Sequence, residues 1–209
     1  MNEDNKTYLR NRWKDVDFLN SLPIQNQSIP VAQLNGLDLR GVPKLGCGEP
    51  LWKFLTIYSS QIHHLRLSFG NGALNISNTR MTNLECIEFK FDQSSSFSNS
   101  TFSDSTFEKS RLKMNVTDVK FYNCDFSQSV LKGGFREYGF RRCKFIHCKF
   151  NSAQWQNTYL FACQFSDCDF TGFGISHSLI RGFKMNRPTE FVTGIFEDCE
   201  IEGLIEINL

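Results

Sequence analysis

Proline is scarce, 5 in 209 residues, and no charge of one sign prevails: Lys+Arg 23 against Asp+Glu 22 leaves +1. A balance so close to zero gives no global field for a polyanion or an acidic substrate. No apolar run approaches the ~18 residues of a membrane-spanning helix. Residues 1–18 carry Glu3, Asp4, Lys6, Arg10, Arg12, Lys14, Asp15 and Asp17 and no apolar segment, so no Sec-type signal is expected and the chain is placed in the cytoplasm. Its 8 cysteines then read as reduced thiols rather than a disulfide framework. Phosphate-binding glycine loops are lacking too, since Lys132-Gly133-Gly134 has no Walker spacing. What is abundant is phenylalanine, 21 residues, in a chain whose 40% hydrophobic content suits one domain, or one domain with a small cap.

From Phe135 every fifth residue is large and apolar: Phe135, Phe140, Phe145, Phe150, Trp155, Leu160, Phe165, Phe170, Ile175, Ile180. Ten hits in a row arise by chance at roughly one in ten thousand. Phe97, Phe102, Phe107, Leu112 and then Val116, Phe121, Phe126, Leu131 keep the same step. A period of five fits neither a helix nor a flat strand, so the chain must turn after each short segment. The steps Leu112 to Val116 and Leu131 to Phe135 are one residue short, and each follows four pentads. Read as slips at one corner of a four-sided coil, they predict four columns. These are Phe97–Val116–Phe135–Trp155–Ile175, Phe102–Phe121–Phe140–Leu160–Ile180, Phe107–Phe126–Phe145–Phe165–Met185 and Leu112–Leu131–Phe150–Phe170.

Side chains alternate along extended backbone, so the position two before each centre also points inward. It holds small residues: Ser95, Ser100, Ser105, Ser110, Cys124, Ser129, Gly133, Cys143, Cys148, Ala153, Thr158, Cys163, Cys168 and Ser178. Met114, Val119, Tyr138 and Phe173 depart from the rule. The other three positions of each pentad are mostly polar and face out.

The triplets Cys124-Asp125-Phe126, Cys143-Lys144-Phe145, Cys148-Lys149-Phe150, Cys163-Gln164-Phe165 and Cys168-Asp169-Phe170 resemble the pentapeptide-repeat family, whose pattern is a small residue, Asp or Asn, a Leu or Phe centre and two variable residues. The resemblance implies an all-β fold, a right-handed quadrilateral parallel β-helix with one pentapeptide per side. The expected organisation is a cap or first rungs over 1–30, irregular coils over 31–94, regular coils over 95–185 and a C-terminal coil or cap over 186–209. Upstream, Leu34/Leu39, Ile57/Ile62/Leu67 and Leu84/Phe89 read as centres, with loops at 42–53 and 68–73. Residues 5–20 admit an amphipathic cap helix with Leu9, Trp13 and Val16 on one side, or a rung centred on Trp13 and Phe18. The rung is preferred, because Val16-Asp17-Phe18 copies the repeat. At the other end Phe196, Cys199 and Ile201 resume the repeat, and 205–209 alternates like a strand.

Cys143, Cys148, Cys163 and Cys168 mimic two metal-ligand pairs, but all four hold the inward small position, and Cys124 is expected to head a column through Cys143 and Cys163. Stacked thiols with parallel side-chain vectors suit packing rather than zinc. His63 and His64 point apart on extended chain, and His147 and His177 lack a third ligand. No nucleophile, base and orienting carboxylate come together, so an enzyme, a cofactor and a metal are all absent from the reading.

What remains is uneven surface charge. Lys132, Arg136, Arg141, Arg142, Lys144 and Lys149 stand against Glu137 alone, while Glu190, Glu197, Asp198, Glu200, Glu202 and Glu206 stand against Arg187 alone. The candidate partner-binding residues are Arg136, Arg141, Arg142, Lys144 and Lys149, facing a protein with an acidic surface. The competing reading is solvated faces with cross-coil pairing, Asp125 on Lys144 and Lys149 on Asp169. Members of the resembled family bind proteins through the faces of the rod, and some protect type II topoisomerases as mimics of B-DNA. Here residues 97–180 carry ten Lys/Arg and seven Asp/Glu, which is not a polyanion. The sequence therefore points to a non-enzymatic protein-binding scaffold. A topoisomerase (gyrase) protection, quinolone-resistance or immunity factor is the alternative, and a secreted effector or nucleic-acid binder stands behind both.

Phe126, Phe145 and Phe165 are expected in one column. Phe145→Asp buries an unpaired charge and should prevent folding, whereas Arg141→Ser should change stability by only about 0.5 kcal/mol. Thermal melts of the two variants check the inward and outward phase.

Overall fold

The computed structural model describes residues 2–25, 29–43, 55–134, 137–182, 184–185, 196–197, 200–202 and 205–206. Every strand pairing among them is parallel, and each strand is only two to four residues long. The pairings build a four-sided solenoid. The first face stacks eight strands, Thr56–Tyr58, Asn75–Ser77, Ser95–Ser98, Met114–Thr117, Gly139–Arg141, Tyr159–Phe161, Leu179–Arg181 and Glu200–Glu202. The second stacks another eight, from Gln61–His63 to Ile205–Glu206. Single bridges form the third face, Asp38–Arg66–Glu85–Thr106–Asp125–Lys149–Asp169. The fourth runs from Asn71–Gly72 and Lys90–Phe91 through Arg111 to the four strands from Val130–Lys132 to Phe196–Glu197.

The corners are made by a repeated backbone conformation. Nineteen of the described non-glycine residues have positive φ, and they fall two residues after the column centres, as at Ser59, Asn78, Asn99, Asp118 and Arg142 on the first face. This left-handed geometry turns the chain sharply; Asn and Asp tolerate it best and are frequent here. Between these corners centre and small residue point in, so Phe102, Phe107, Phe121, Phe126, Phe140, Phe145 and Phe150 are fully buried. Their rings stack from coil to coil in nearly parallel planes: Phe107 on Phe126 at 4.8 Å, Phe121 on Phe145 at 5.0 Å, Phe145 on Phe165 at 4.6 Å and Phe150 on Phe170 at 5.0 Å.

The register corrects one step of the expected columns. Leu112 to Val116 is a true four-residue corner, since Phe97 lies on Val116. Leu131 to Phe135 is not, because Val116 pairs with Phe140 and Leu131 with Trp155. Nine residues thus separate the successive centres Leu131 and Phe140. Tyr138, not Gly133, takes the inward place before Phe140; a Cβ on Gly133 would strike the Tyr138 ring. Phe135 lies outside the described residues. Columns above and below the insertion are as expected, but joined one face further on. Phe126 lies under Phe150 and Phe170, while Phe121 lies under Phe145 and Phe165. Asp125 accordingly sits beside Lys149 rather than Lys144, and Lys149 beside Asp169 as read.

Between Ile57 and Met185 every change of corner length falls on this one edge. Gly72 to Ile76, Phe91 to Phe97, Leu112 to Val116 and Leu131 to Phe140 span four, six, four and nine residues. Over that span the other three edges keep five; beyond it Met185 and Phe196, two faces apart, are eleven residues apart.

The early coils invert the small-and-large rule. Leu84 and Phe89 are not centres; they precede the centres Cys86 and Phe91 by two, and all four are buried. Residues 68–73 are not a loop but a tight turn followed by the strand Asn71–Gly72. The expected loop at 42–53 falls, from residue 44, outside the described residues. Ser95, Ser100, Ser105 and Ser110 do more than leave room. Their Oγ atoms accept from the backbone N–H of Leu74, Thr79, Leu84 and Phe89 in the coil below, at 3.2, 3.0, 3.1 and 3.0 Å. Four buried donors that would otherwise be orphaned are satisfied by one coil of serines.

The N-terminus is a helical cap, not a rung. Helix α1 (Glu3–Asn11) begins at Asn2, whose side chain accepts from Asn5 N–H, and a 3-10 turn (Arg12–Lys14) leads to helix α2 (Val16–Ser21). Asp15 caps α2 by accepting from the N–H groups of Asp17 and Phe18, so Val16-Asp17-Phe18 becomes a helical first turn and Val16 is exposed. Leu9 and Trp13 are buried. The cap is strapped to the third face: Arg12 donates to Asp38 at 2.7 Å, Trp13 Nε1 to the Arg40 carbonyl at 2.9 Å, and Lys6 to Glu88 at 2.9 Å. Gly41, at φ 77°, lets the Leu9 carbonyl approach where a Cβ would collide. At the far end Phe196 pairs with Ile175 and Ile201 with Ile180, as the repeat predicts, and Ile205–Glu206 is a strand. Cys199 and 207–209 lie outside the described residues.

Burial pushes the Asp38 carboxyl up, but hydrogen bonds from Arg40 and Arg12 outweigh it and hold it below the usual carboxylate range. A depressed native pKa contributes stability above the unfolded value of ~4 and loses it as pH falls. Asp38→Asn should therefore lower the melting temperature at neutral pH and make progressively less difference on acidification; paired melts across that range check it.

Candidate functional site

Among the described residues the interior offers no reactive group. The corrected register stacks Cys124, Cys148 and Cys168 in one column and Cys143 with Cys163 in another, each two residues ahead of a paired centre. All five are buried and free. Each thiol lies near the carbonyl two residues before it and one in the coil below, as Cys148 does with Ile146 at 3.5 Å and Phe121 at 3.5 Å. The hydrogen bond with Cys124 pushes the Cys148 thiol up to about 12, and burial raises Cys163 well above the ordinary thiol range. Thiols held this firmly protonated are poor ligands and nucleophiles. Among the described residues no group of three or more His, Cys, Asp or Glu could hold a metal ion. His63 lies in a strand and His64 at a left-handed corner with φ 57°, both exposed. His147 Nδ1 stands 3.9 Å from Asp167, with both side chains exposed.

The basic band divides. Arg142, at a corner with φ 51°, makes a two-pronged pair with Asp118 in the coil below, 2.6 Å on each arm, so its charge is largely spent. Lys149 sits on the third face between Asp125 and Asp169. Arg136 lies outside the described residues. Arg141 ends a first-face strand, its guanidinium 5.4 Å from the Phe161 ring and 6.0 Å from Tyr159, two rings that stack at 5.0 Å. Tyr159 also donates to Asn115 at 2.8 Å. Around the corner Lys144 opens a second-face strand and is exposed. Of the five candidates, Arg141 and Lys144 flank one edge with no ion pair among the described residues.

Sequence reading missed Lys120. It is exposed and in direct register with Lys144, one strand spacing below, which the displaced phase had concealed. Like charges directly opposite on neighbouring strands are unfavourable unless something neutralises them. In the adjoining row Tyr122 is in register with Ile146; Tyr122 is 36% exposed and Ile146 partly so. Arg80 occupies the lysine row two coils below Lys120, with Thr101 between them. The acids bordering this face are engaged: Asp118 with Arg142, Asp104 with Asn123 at 2.6 Å, and Asp167 near His147. At the expected acidic end, Glu197, Glu200, Glu202 and Glu206 fall on strands of three faces, while Glu190 and Asp198 lie outside the described residues.

Fold and surface together define a four-sided parallel β-solenoid, with its interior packed shut and its exposed chemistry on the outer faces. Residues 140–173 match the family profile described as pentapeptide repeats, in eight copies. Residues 140–173 thus carry pentapeptide repeats, set within the longer four-sided coil. Solved structures similar to it include a trypsin-treated form of QnrB1, a plasmid-mediated fluoroquinolone resistance protein, at 12% identity over 83% of this chain and 92% of that one, TM-score 0.49. Another is HetL, a pentapeptide-repeat protein involved in heterocyst differentiation regulation in the cyanobacterium Nostoc, at 8% identity over 82% and 85%, TM-score 0.17. No curated protein matches the chain. No helix among the described residues is long and apolar enough to cross a membrane.

The purified protein should contain no stoichiometric zinc and should keep its circular dichroism spectrum and melting temperature in EDTA. Metal analysis together with a melt in chelator checks this.

Proposed function

We propose that the chain is a non-enzymatic scaffold that binds a protein with an acidic surface at the edge between the first and second faces. The observation that carries this reading is the direct opposition of Lys120 and Lys144, with Arg141 across the edge and Tyr122 and Ile146 alongside. Opposed cations on a rigid sheet are relieved when a partner brings carboxylates between them, and apolar neighbours add area that charge alone lacks. Solenoid faces are flat and fixed by the core, so outward side chains decide the partner. Complementary charge then sets encounter rate and register. The six described thiols, buried and free, suit the reducing cytoplasm.

The alternative, topoisomerase protection by likeness to DNA, asks for a face of negative sign. The row Arg80, Lys120, Lys144 has the opposite sign, and acids of the third face such as Asp38 and Glu88 are engaged by the cap. A gyrase supercoiling assay with a quinolone should show no protection.

The direct test is a triple reversal, Lys120→Glu, Arg141→Glu and Lys144→Glu, against Lys90→Glu with Arg111→Glu on the fourth face. In pull-downs the edge variant, still folded, should lose a partner that the wild type and the fourth-face variant retain. Retention by the edge variant and loss by the other would move the interface to the fourth face.

A further inference from the structure

The second face carries more than sign; it carries spacing. Neighbouring coils of a parallel solenoid lie about 4.8 Å apart. Arg80 is two coils below Lys120, and Lys120 one coil below Lys144, all in one row of register partners. Along the rod the three cations therefore stand at 0, about 9.6 and about 14.4 Å. Tyr122 and Ile146 lie in the parallel row beside the closer pair, on the same two strands.

A partner in extended conformation presents same-side residues every ~6.7 Å, about 3 Å short of the first interval. An α-helix rises 1.5 Å per residue, so positions i, i+7 and i+11 share one side at 0, about 10.5 and about 16.5 Å. Lysine and arginine stems flex enough to absorb the remaining ~2 Å. Duplex DNA presents a uniformly charged backbone with no apolar side to meet Tyr122 and Ile146, so the apolar row beside the cations favours a protein.

We infer that the second face seats an acidic amphipathic helix of a partner protein, lying along the rod axis. Its carboxylates at i, i+7 and i+11 face Arg80, Lys120 and Lys144, and its apolar side chains near i+7 and i+11 rest on Tyr122 and Ile146. This rests on the reading that the neighbouring edge binds protein, and it adds the secondary structure, direction and residue spacing of the ligand. The coils act as the ruler: their spacing is set by backbone hydrogen bonds, so the cation row cannot adjust to a ligand of another pitch.

The probe is a pair of fluorescent, helix-stapled synthetic peptides of identical composition. One carries Glu at i, i+7 and i+11, with leucines flanking the last two; the other carries the same residues permuted so that the three Glu point to different sides. Fluorescence anisotropy against the full chain should show the registered peptide binding about tenfold more tightly than the permuted one, with the preference weakening in salt. Lys120→Glu with Lys144→Glu should erase the preference, and Lys90→Glu with Arg111→Glu should leave it intact. Equal binding of the two peptides, or binding of neither, overturns the helix. If the edge variant nevertheless loses its pull-down partner, the protein-binding reading survives that failure. Displacement of the registered peptide by a short DNA duplex at lower concentration than by the unlabelled peptide also overturns the inference, assigning the row to nucleic acid.

Discussion

Backbone hydrogen bonds between parallel strands hold successive coils about 4.8 Å apart, and nearly everything else follows from that distance. A flat ring is thinner than the gap it must fill, so phenylalanines one coil apart lie face to face. Phe126 meets Phe150 at 5.3 Å, and their planes differ by only 6°. A ring also needs its equal above and below, and on the second and third faces phenylalanine repeats over four coils, Phe102–Phe121–Phe145–Phe165 and Phe107–Phe126–Phe150–Phe170. Offset stacking adds to burial of apolar area. The same distance governs the small inward position, where serine, cysteine, alanine and threonine fit and where a serine hydroxyl reaches an N–H of the next coil. Packing, polar satisfaction and surface register thus have one origin.

The same origin explains what the sequence made legible. Period five, the inward pair of positions and the outward three follow from local chain geometry, and apart from the corners Leu112–Val116 and Leu131–Phe140 those held from Phe97 to Ile180. Column membership is different, because it depends on how many residues each circuit spends at its corners. Gly133-Gly134 and Tyr138 insert residues that mimic a short corner when only spacing is counted. Once Leu131 was followed to Phe135, every later column moved by one face. The N-terminus failed for another reason. Val16-Asp17-Phe18 has the repeat's letters, but Asp15 before it supplies a helix cap, and a capping hydrogen bond is decided locally. In the early coils Cys86 and Gly72 occupy centre positions, so a search for large centres settles on Leu84 and Phe89 instead.

The candidate site shows how a packing error becomes a functional one. Arg141 and Lys144 were singled out because they neighbour each other in the chain. Lys120 became visible only when the correct coil lay beneath Lys144. Arg142 and Lys149 looked equivalent to their neighbours, but Asp118 engages one, and Asp125 and Asp169 flank the other. On a solenoid, charge along the chain says little until the circuit length is known, because the nearest charges in space are a whole circuit away.

Between Ile57 and Met185 one edge of the prism absorbs every change in circuit length, while the other three keep five residues per side. That edge works as an expansion joint. Doubling a flexible connection costs only about 0.6 kcal/mol in closure entropy, and an insertion there leaves the ring columns untouched. Freedom to vary is therefore unequal around this part of the rod. Recombination between related chains, or the grafting of a foreign segment, has one line along which material can be added without rebuilding the interior.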